Sequence, residues 1–334
     1  MTRIAVFGSG SWGTTFAQVL CDAGGDVRLW GRRAEIVEAI NATRENPAHL
    51  PGRRLPESLY ATTDVAEASE GAEIVVFAVP SQSFRENLTK WAAVLDPGAV
   101  LVSLMKGIEL GSCKRMSEVI GEMTGAAADQ VVIVSGPNLA KEIAARQPAA
   151  TVVASSAAAT AQRVQDACHT GYFRAYTGTD VVGAELCGAT KNVIALAVGI
   201  SIGMGFGDNT TSMLTTRGLA ENVRLGVALG ADIQTFAGLA GLGDLVATCG
   251  SPLSRNRTFG ERLGRGESLA EVLADTREVA EGVKSCQSVL ELATRSGVEM
   301  PITQTVVDVV HGDVDPPDAV RNLMGRSAKP EWYG

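Results

Sequence analysis

The first twenty residues constrain the fold of this chain more than any other segment. A β-type apolar run, Ile4 to Phe7, leads directly into three glycines with G-x-G-x-x-G spacing, Gly8, Gly10 and Gly13. Apolar residues then recur at helical spacing. Strand, glycine turn and helix in this order are typical of a dinucleotide-binding turn, in which the glycines permit the turn, the approach of a pyrophosphate and close helix–strand packing. The alternative, a glycine-rich turn without a ligand, is disfavoured because the turn opens directly after a strand.

The residues after the second strand predict which dinucleotide is bound. This strand, Asp26 to Trp30, is followed closely by Arg32 and Arg33, and no carboxylate occurs before Glu35. In this fold a carboxylate here binds the ribose 2′-hydroxyl, whereas arginine binds a 2′-phosphate. We therefore predict NADP(H), or both NADP(H) and NAD(H), as the cofactor. The alternative is that the two arginines form a solvated charge pair on a loop.

Bulk properties exclude several classes of partner. At 334 residues, the chain is long enough for two domains. The net charge of −8 argues against nucleic acid, which needs a basic surface. We found no basic-then-apolar leader and no uninterrupted apolar span of 18 residues, so we expect no membrane insertion and a cytoplasmic location. The three histidines, His49, His169 and His311, form no metal-binding pattern, so we expect no metal.

Apolar strand-like runs alternate with helical segments up to about residue 180 and then cease. These runs cover residues 73–79, 99–103, 131–135 and 150–154, with a weaker run at 172–176. Continuous apolar strands alternating with helices predict a parallel sheet covered on both faces. The sequence therefore predicts an α/β fold. It comprises a doubly wound, Rossmann-type dinucleotide-binding domain at residues 1–180 and an all-α substrate and catalytic domain at residues 181–334.

Polar residues follow two of the predicted strands. Lys106 comes after the run at 99–103, and a turn from Gly136 through Asn138 to Ala140 comes after the run at 131–135. Doubly wound sheets bind ligands beyond the carboxyl ends of their strands. An ammonium there can meet a phosphate, and the turn offers backbone N–H groups at a predicted helix start. The alternative for Lys106 is a solvated side chain.

Lys191 is the only charged residue in the apolar segment 186–200. A helix that is apolar on nearly all sides is buried, so its lysine must pair, function or extend its amine to the surface. Burial disfavours the ammonium and lowers the pKa of a lysine, which suits a general base for an alcohol proton. Asn192, the next residue, can hydrogen-bond a polar substrate.

Two further segments carry groups suited to this chemistry. Asp244 ends a glycine-rich turn, where it either orients and tunes the buried lysine or serves as the N-cap of a helix. Ser254, Arg255 and Asn256 start a predicted helix, and their hydroxyl, guanidinium and amide donors form a suitable phosphate site. A capping role for Ser254 alone would need neither of the two residues that follow it.

These motifs together resemble the bacterial NAD(P)-dependent glycerol-3-phosphate dehydrogenase family. They are G-S-G-S-W-G, M-K-G, S-G-P-N-x-A-x-E, A-x-K-N, G-x-G-D and S-R-N-R, in order over nearly the whole chain. The resemblance implies a helical domain like that of 6-phosphogluconate dehydrogenase. It also implies reversible hydride transfer between sn-glycerol 3-phosphate and dihydroxyacetone phosphate, a small phosphorylated substrate, to supply phospholipid synthesis. We expect a homodimer.

The resemblance implies roles for individual residues, some of which the motifs above already suggest; those of Ser11, Trp12, Ala140, Val279 and Glu281 are implied by the resemblance alone. Catalysis is expected at Lys191, as proton acceptor, and Asp244. Substrate contacts are expected at Lys106, Gly136, Asn138, Lys191, Asn192, Asp244, Ser254, Arg255 and Asn256. Cofactor contacts are expected at Gly8, Gly10, Ser11, Trp12, Gly13, Arg32, Arg33, Lys106, Ala140, Arg255, Val279 and Glu281. The family often has serine or threonine where this chain has Asn138, so an amide would have to replace that hydroxyl.

Two alternatives remain open on sequence alone. One is another two-domain NADP-dependent hydroxyacid or ketopantoate-type reductase, which the S-R-N cluster and the M-K-G lysine disfavour. The other is a non-catalytic NADP-sensing module, which would need no buried lysine.

Overall fold

The computed structural model describes residues 1–275, 280–328 and 330–331 of the chain. The chain forms two compact units, one of residues 1–106 with 114–185 and one of residues 107–113 with 186–334. The strands found among the described residues all lie in the first unit. The second unit, within the same described ranges, is helical.

The first unit is built on an eight-stranded sheet with a small separate hairpin. The strands are β1 (Arg3–Phe7), β2 (Asp26–Trp30), β3 (Glu45–Asn46), β4 (Leu50–Arg54), β5 (Tyr60–Thr62), β6 (Ile74–Phe77), β7 (Val100–Ser103), β8 (Val131–Ser135), β9 (Ala149–Ala154) and β10 (Phe173–Gly178). The sheet order is β10-β9-β8-β7-β6-β1-β2-β5, and β3 pairs with β4. The helices that begin in this unit are α1 (Ser11–Asp22), α2 (Ala34–Thr43), α3 (Val65–Ser69), α4 (Phe84–Trp91), α5 (Met116–Thr124), α6 (Ala140–Ala144), α7 (Ala158–Cys168) and α8 (Val181–Gly203).

Buried strands set the order of this sheet. β1 pairs in parallel with β2 on one side and with β6 on the other, with Ile4 opposite both Val27 and Ile74. The strand order therefore reverses at β1, which places the glycine turn at the carboxyl edge of the switch point, where such sheets bind ligands. The predicted doubly wound Rossmann-type fold is confirmed.

Two strands at one edge of the sheet, β9 and β10, run opposite to the others and depart from the predicted parallel arrangement. β9 runs antiparallel to β8, with Ile133 opposite Ala154, whereas β10 is parallel to β9. The segment that joins β8 to β9 contains only the five-residue helix α6. A parallel connection usually crosses over through a helix that runs back along the strand. At five residues, α6 covers only about 7.5 Å, which is shorter than such a crossover helix.

Residues 45–62 form short strands although they contain no long apolar run. They comprise the β3–β4 hairpin and the edge strand β5. Asn46, which is fully buried, donates to the carbonyl of Ser9 and to Thr14 Oγ1, both at 2.9 Å. A single buried amide thus ties this hairpin to the glycine turn.

The second unit is a helical assembly that begins with the rest of α8. Its other helices are α9 (Asp208–Ala228), α10 (Ile233–Ala237), α11 (Asp244–Gly250), α12 (Arg255–Gly264), α13 (Leu269–Ala274), α14 (Glu281–Arg295), α15 (Pro301–His311) and α16 (Pro316–Met324). Residues 107–113 join it: Ser288 Oγ donates to the carbonyl of Ile108 at 2.8 Å, and Arg295 Nη2 to that of Gly111 at 2.9 Å. By length and composition α8 could cross a membrane, but 89% of its apolar window is buried inside the protein, as in a core helix.

Glycines allow α8 and α12 to pack with their backbones nearly in contact. A Cβ atom on Gly199 of α8 would lie 2.0 Å from the carbonyl oxygen of Arg257, and one on Gly260 of α12 would lie 2.2 Å from that of Leu196. The same contact is repeated one turn later by Gly203 and Gly264. Larger residues would separate the two helices, and these helices carry Lys191 and Asn256.

Candidate active site

The glycine turn of the first unit is shaped by backbone contacts. Gly8 has a φ of +126°, which favours glycine. A Cβ atom on Gly13 would lie 1.9 Å from the Gly8 carbonyl oxygen, so any side chain there would push α1 away from β1. A Cβ on Gly10 would meet nothing within 4 Å. The first and third glycines are therefore required by the fold, whereas the second borders open space.

The residues at the start of α1 suit a bound pyrophosphate. Gly10 is the N-cap and makes no side-chain cap bond, and the first turn contains no acidic residue. Unpaired N–H groups and the helix dipole therefore favour an anion here. Trp12, in the same turn, has a buried indole N–H without a hydrogen-bond partner among the described residues. These features fit the diphosphate of a dinucleotide.

Arg32 and Arg33 lie directly after β2, as predicted. Arg32 is exposed. Arg33 is half exposed. Its Nε lies 3.9 Å from Glu35 Oε1, and its Nη2 lies 2.7 Å from His49 Nε2. No sequence motif pointed to His49, because it is distant in sequence and only the β3–β4 hairpin brings it to the arginine. No local pattern would have revealed it.

Polar groups at the carboxyl ends of β7 and β8 lie together in the first unit. Lys106 Nζ donates to the carbonyl of Gly136 at 2.9 Å. Asn138 Nδ2 donates to Thr151 Oγ1 of β9 at 3.1 Å, so the amide has found a buried hydroxyl partner. Ala140 is the first residue of α6, and its carbonyl accepts a bond from Thr15 at 3.3 Å.

In the second unit, Lys191 lies in a buried polar cluster. Its Nζ donates to Asp244 Oδ1 at 2.5 Å and to Thr248 Oγ1 at 2.7 Å. The side chains of Lys191 and Asp244 are only 8% and 2% exposed, so the amine does not extend to the surface. Asp244 is the first residue of α11 and Gly243 is its N-cap, so the capping alternative is wrong. The sequence correctly paired these two residues, and Thr248 joins them from the next turn of α11.

The predicted glycine-rich turn before Asp244 is helical. Residues 239–243 form a π-helical turn that continues into α11. A Cβ atom on Gly241 would lie 2.2 Å from the carbonyl oxygen of Phe236, which explains the need for glycine. Glycines occur both in loops and in helical turns that need close packing, and the sequence alone does not distinguish the two. The π-helical turn was therefore not predicted.

Asn192 and Asn256 form a second buried pair next to this cluster. Asn256 Nδ2 donates to Asn192 Oδ1 at 2.9 Å, and its own Oδ1 accepts from the backbone N–H of Gly282 at 2.8 Å. Asn256 therefore joins α8, α12 and the start of α14. Asn192 Nδ2 donates to the carbonyl of Gly188 at 3.3 Å, within its own helix. The Asn256 Nδ2 carries two N–H groups, of which the bond to Asn192 uses one.

The other predicted residues of this unit lie at helix starts. Ser254 is the N-cap of α12, and its Oγ accepts from the N–H of Arg257 at 3.3 Å. Arg255 is the exposed first residue of α12, and Glu281 is the first residue of α14. Val279 lies outside the described residues. A capped helix start beside a guanidinium and an amide is suited to a phosphate.

Burial controls the ionisable groups around Lys191. Burial raises the pKa of the Cys249 thiol to about 12, and the nearby Asp244 carboxylate also raises it, against lowering contributions from Thr215, Lys191 and Arg257. The thiol therefore stays protonated and is not a nucleophile. Among the described residues, no group of three or more His, Cys, Asp or Glu side chains is placed to hold a metal ion. The Lys191 amine is the group of this cluster that suits proton transfer.

Comparison with known proteins identifies the family. Residues 3–161 match the family described as NAD-dependent glycerol-3-phosphate dehydrogenase N-terminus, and residues 180–321 match the corresponding C-terminus. The chain belongs to the NAD-dependent glycerol-3-phosphate dehydrogenase family. As a member of this family it is an NAD(P)-dependent oxidoreductase.

Individual relatives cover almost the entire chain. Glycerol-3-phosphate dehydrogenase (NAD(P)+) of Streptomyces griseus is 64% identical over 329 residues, 98% of both chains. The enzyme of the same description from Thermobifida fusca is 62% identical over 335 residues, the full length of both. The solved structure of glycerol-3-phosphate dehydrogenase from Coxiella burnetii is 38% identical, with a TM-score of 0.93, and covers 97% of this chain and 99% of that one. These glycerol-3-phosphate dehydrogenases share the present fold.

Proposed function

We propose that this protein interconverts sn-glycerol 3-phosphate and dihydroxyacetone phosphate with NAD(P)(H), using Lys191 as the proton-transfer group. The observation that carries this assignment is the buried pair of Lys191 on α8 and Asp244 on α11, 2.5 Å apart, in a member of the glycerol-3-phosphate dehydrogenase family. The product glycerol 3-phosphate would supply phospholipid synthesis.

The first unit is proposed to bind the dinucleotide. Open space at Gly10 and the acid-free start of α1 would receive the diphosphate. Ser11, Trp12 and Ala140 would line the same turn, and Arg32 and Arg33 would bind a 2′-phosphate. When bound, the nicotinamide supplies the hydride acceptor or donor for carbon 2 of the substrate.

The substrate phosphate is proposed to bind at the start of α12. Arg255 is exposed there, and a guanidinium can donate two parallel hydrogen bonds to phosphate oxygens. The free N–H of Asn256 and the helix N-terminus add further donors. Lys106, Gly136 and Asn138 are the substrate contacts we propose from the first unit, and Glu281 is the cofactor contact we propose from α14.

Lys191 is proposed to move the proton of the substrate oxygen. A carboxylate at 2.5 Å favours the ammonium form of an amine, against the effect of burial. The ammonium is the form needed to reduce a ketone, because it donates to the carbonyl oxygen and then transfers its proton to the forming alkoxide. In the oxidative direction the neutral amine accepts the proton of the C2 hydroxyl. Asp244 and Thr248 hold Nζ in place throughout.

A substrate panel tests this function. NADPH and NADH oxidation is measured with dihydroxyacetone phosphate, with its unphosphorylated form dihydroxyacetone, and with ketopantoate. We expect turnover of the phosphorylated ketone to be at least about 10³-fold more efficient than that of dihydroxyacetone, since a phosphate contributes charge-assisted bonds to Arg255.

Arg255→Ala should raise the KM for the phosphorylated ketone strongly and leave the KM for dihydroxyacetone unchanged. Preferred reduction of ketopantoate would contradict the proposal.

We also propose a cytoplasmic homodimer. Large apolar side chains are exposed on the second unit, among them Val227 at 51%, Ile233 at 60% and Val246 at 54%, which supports an interface between copies. Light scattering of the purified protein at micromolar concentration would give the mass of a dimer, and a monomer mass would contradict it.

A further inference from the structure

Thr151 lies at the ligand-binding edge of the sheet because β9 is reversed. In a parallel sheet the first residues of a strand lie at the edge opposite the carboxyl ends, away from the ligand. β9 runs antiparallel to β8, so its first residues lie beside the carboxyl end of β8 instead. Ser135 pairs with Val152, and a Cβ atom on Gly136 would lie 3.0 Å from Thr151 Oγ1. The reversal therefore places a fully buried hydroxyl against the turn that carries Gly136 and Asn138.

The Thr151 hydroxyl fixes the orientation of the Asn138 amide. Asn138 Nδ2 donates to Thr151 Oγ1 at 3.1 Å. Because the nitrogen and oxygen of an amide lie on opposite sides of its carbon, this bond turns Asn138 Oδ1 away from the hydroxyl. Oδ1 is buried and accepts no hydrogen bond from the residues that the structure describes. A shielded carbonyl oxygen without a donor is unfavourable, and a ligand that brings a donor removes this cost.

Few groups of the proposed substrates can donate a hydrogen bond to this oxygen. The phosphate dianion and the ketone oxygen of dihydroxyacetone phosphate only accept hydrogen bonds, so the C1 hydroxyl is the one group of this molecule that donates. In glycerol 3-phosphate the C2 hydroxyl donates as well, but in the proposed mechanism its proton goes to Lys191. The C1 hydroxyl is therefore the donor that both substrates can offer to Asn138 Oδ1.

We infer that Thr151 is a positioning residue that directs the Asn138 carbonyl oxygen to the ligand, so that Asn138 recognises the C1 hydroxyl of the substrate. The inference rests on the proposed function. The last side-chain torsion of asparagine is broad and roughly two-fold. Without the Thr151 hydroxyl the amide can therefore turn over, and its nitrogen and oxygen exchange places. The site then loses its preference for a ligand that donates at this position.

Hydroxyacetone phosphate, which has hydrogen in place of the C1 hydroxyl, is the substrate analogue that tests this role. The ratio of kcat/KM for dihydroxyacetone phosphate to kcat/KM for the analogue is measured in the wild type, Thr151→Val and Thr151→Ser. The hydroxyl also alters the reactivity of the ketone, so the proteins are compared by the change in this ratio. We expect the ratio to fall about tenfold in Thr151→Val, the effect of one hydrogen bond to a buried acceptor. Thr151→Ser restores the hydroxyl and should restore the ratio.

Asn138→Ala and the double variant with Thr151→Val show whether Thr151 acts through Asn138. Asn138→Ala should lower the ratio about tenfold, and the double variant should lower it no further, because both changes remove the same contact. Asn138 lies outside the strands, so its variant keeps the test decisive if Thr151→Val does not fold.

Three results would overturn the inference. They are an unchanged ratio in Asn138→Ala or in folded Thr151→Val, additive effects in the double variant, and a weaker dinucleotide Kd with the ratio retained, which would place Oδ1 against the nicotinamide carboxamide. If the wild type reduces dihydroxyacetone phosphate and the ratio is the same in every variant, the proposed function stands and only the role of Thr151 and Asn138 fails. If the wild type reduces neither ketone, the proposed function itself fails.

Discussion

At the level of single residues, charge in an apolar context was the most informative signal. Lys191 stood alone in an apolar helix, and burial of that helix forced its amine to find a partner. The sequence identified Asp244 as the candidate partner because it is an acid after a glycine-rich segment. It did not predict that Asn192 and Asn256 bind each other, or that His49 contacts Arg33. Those contacts depend on how distant elements meet, which no local pattern encodes.

Asp244→Asn tests how the carboxylate acts on Lys191. Without its negative charge the ammonium is less favoured, so Lys191 loses its proton at a lower pH. The alkaline limb of the kcat profile for ketone reduction should therefore move to lower pH, and kcat at neutral pH should fall about 10- to 100-fold. Thr248→Val, which removes a neutral partner of the same amine, is the control and should leave that limb in place. An unshifted limb in Asp244→Asn would show that the carboxylate has no electrostatic role.

At the level of elements, periodicity and glycine spacing predicted most of what forms. The strand before the glycine turn (β1), β2 and β8 have the predicted bounds to within one residue, and the described part of the second unit is helical, as predicted. The antiparallel β9, the β3–β4 hairpin and the π-helical turn were not predicted. These three features depend on the connections between strands or on close backbone contacts. The hydrophobic pattern of a sequence indicates neither.

Gly13 on α1 and Gly10 at its N-cap provide a matched pair of variants that separates the stability of the fold from dinucleotide binding. Gly13→Ala places a methyl 1.9 Å from the Gly8 carbonyl oxygen, which should cost about 3 kcal/mol or more in the free energy of unfolding. Gly10→Ala meets nothing within 4 Å and should cost less than about 1 kcal/mol. Chemical denaturation measures both values. Gly10→Ala should nevertheless weaken dinucleotide binding at least about tenfold, because its methyl occupies the approach to the diphosphate. Normal affinity in that variant would remove the diphosphate from Gly10.

At the level of the whole molecule, the stability of the protein is coupled to pH through a buried acid. Glu221 of α9 is 2% exposed and accepts hydrogen bonds from the backbone N–H groups of Ile302 and Thr303 at the start of α15, at 2.6 and 3.2 Å. Burial raises its pKa to about 7, although both N–H bonds favour the carboxylate. This acid joins two helices of the second unit and is remote in sequence from the proposed catalytic residues.

The sign of this coupling follows from the raised pKa. Between about pH 4.5 and 7 the folded protein keeps the Glu221 proton while the unfolded chain has released it, so stability falls as pH rises through this window. The contribution reaches about 3 kcal/mol. The free energy of unfolding of the wild type and of Glu221→Gln is measured with urea from pH 4.5 to 8. The contributions of all other groups cancel in the difference between the two proteins. The stability of the wild type relative to Glu221→Gln should be greatest near pH 4.5 and fall towards pH 8. A difference in stability that does not change with pH would contradict the raised pKa.

Turnover by Lys191→Met, measured beside the wild type, tests whether the buried amine of Lys191 transfers the substrate proton. Reduction of dihydroxyacetone phosphate is followed by NADH or NADPH oxidation, and dinucleotide affinity is measured on the same samples. The double variant Lys191→Met with Asp244→Asn removes the unpaired buried carboxylate and controls for folding. We predict that kcat falls about 10²- to 10⁴-fold in both variants while the dinucleotide Kd stays within about twofold. A folded Lys191→Met enzyme that keeps kcat within a few-fold of the wild type would contradict the account.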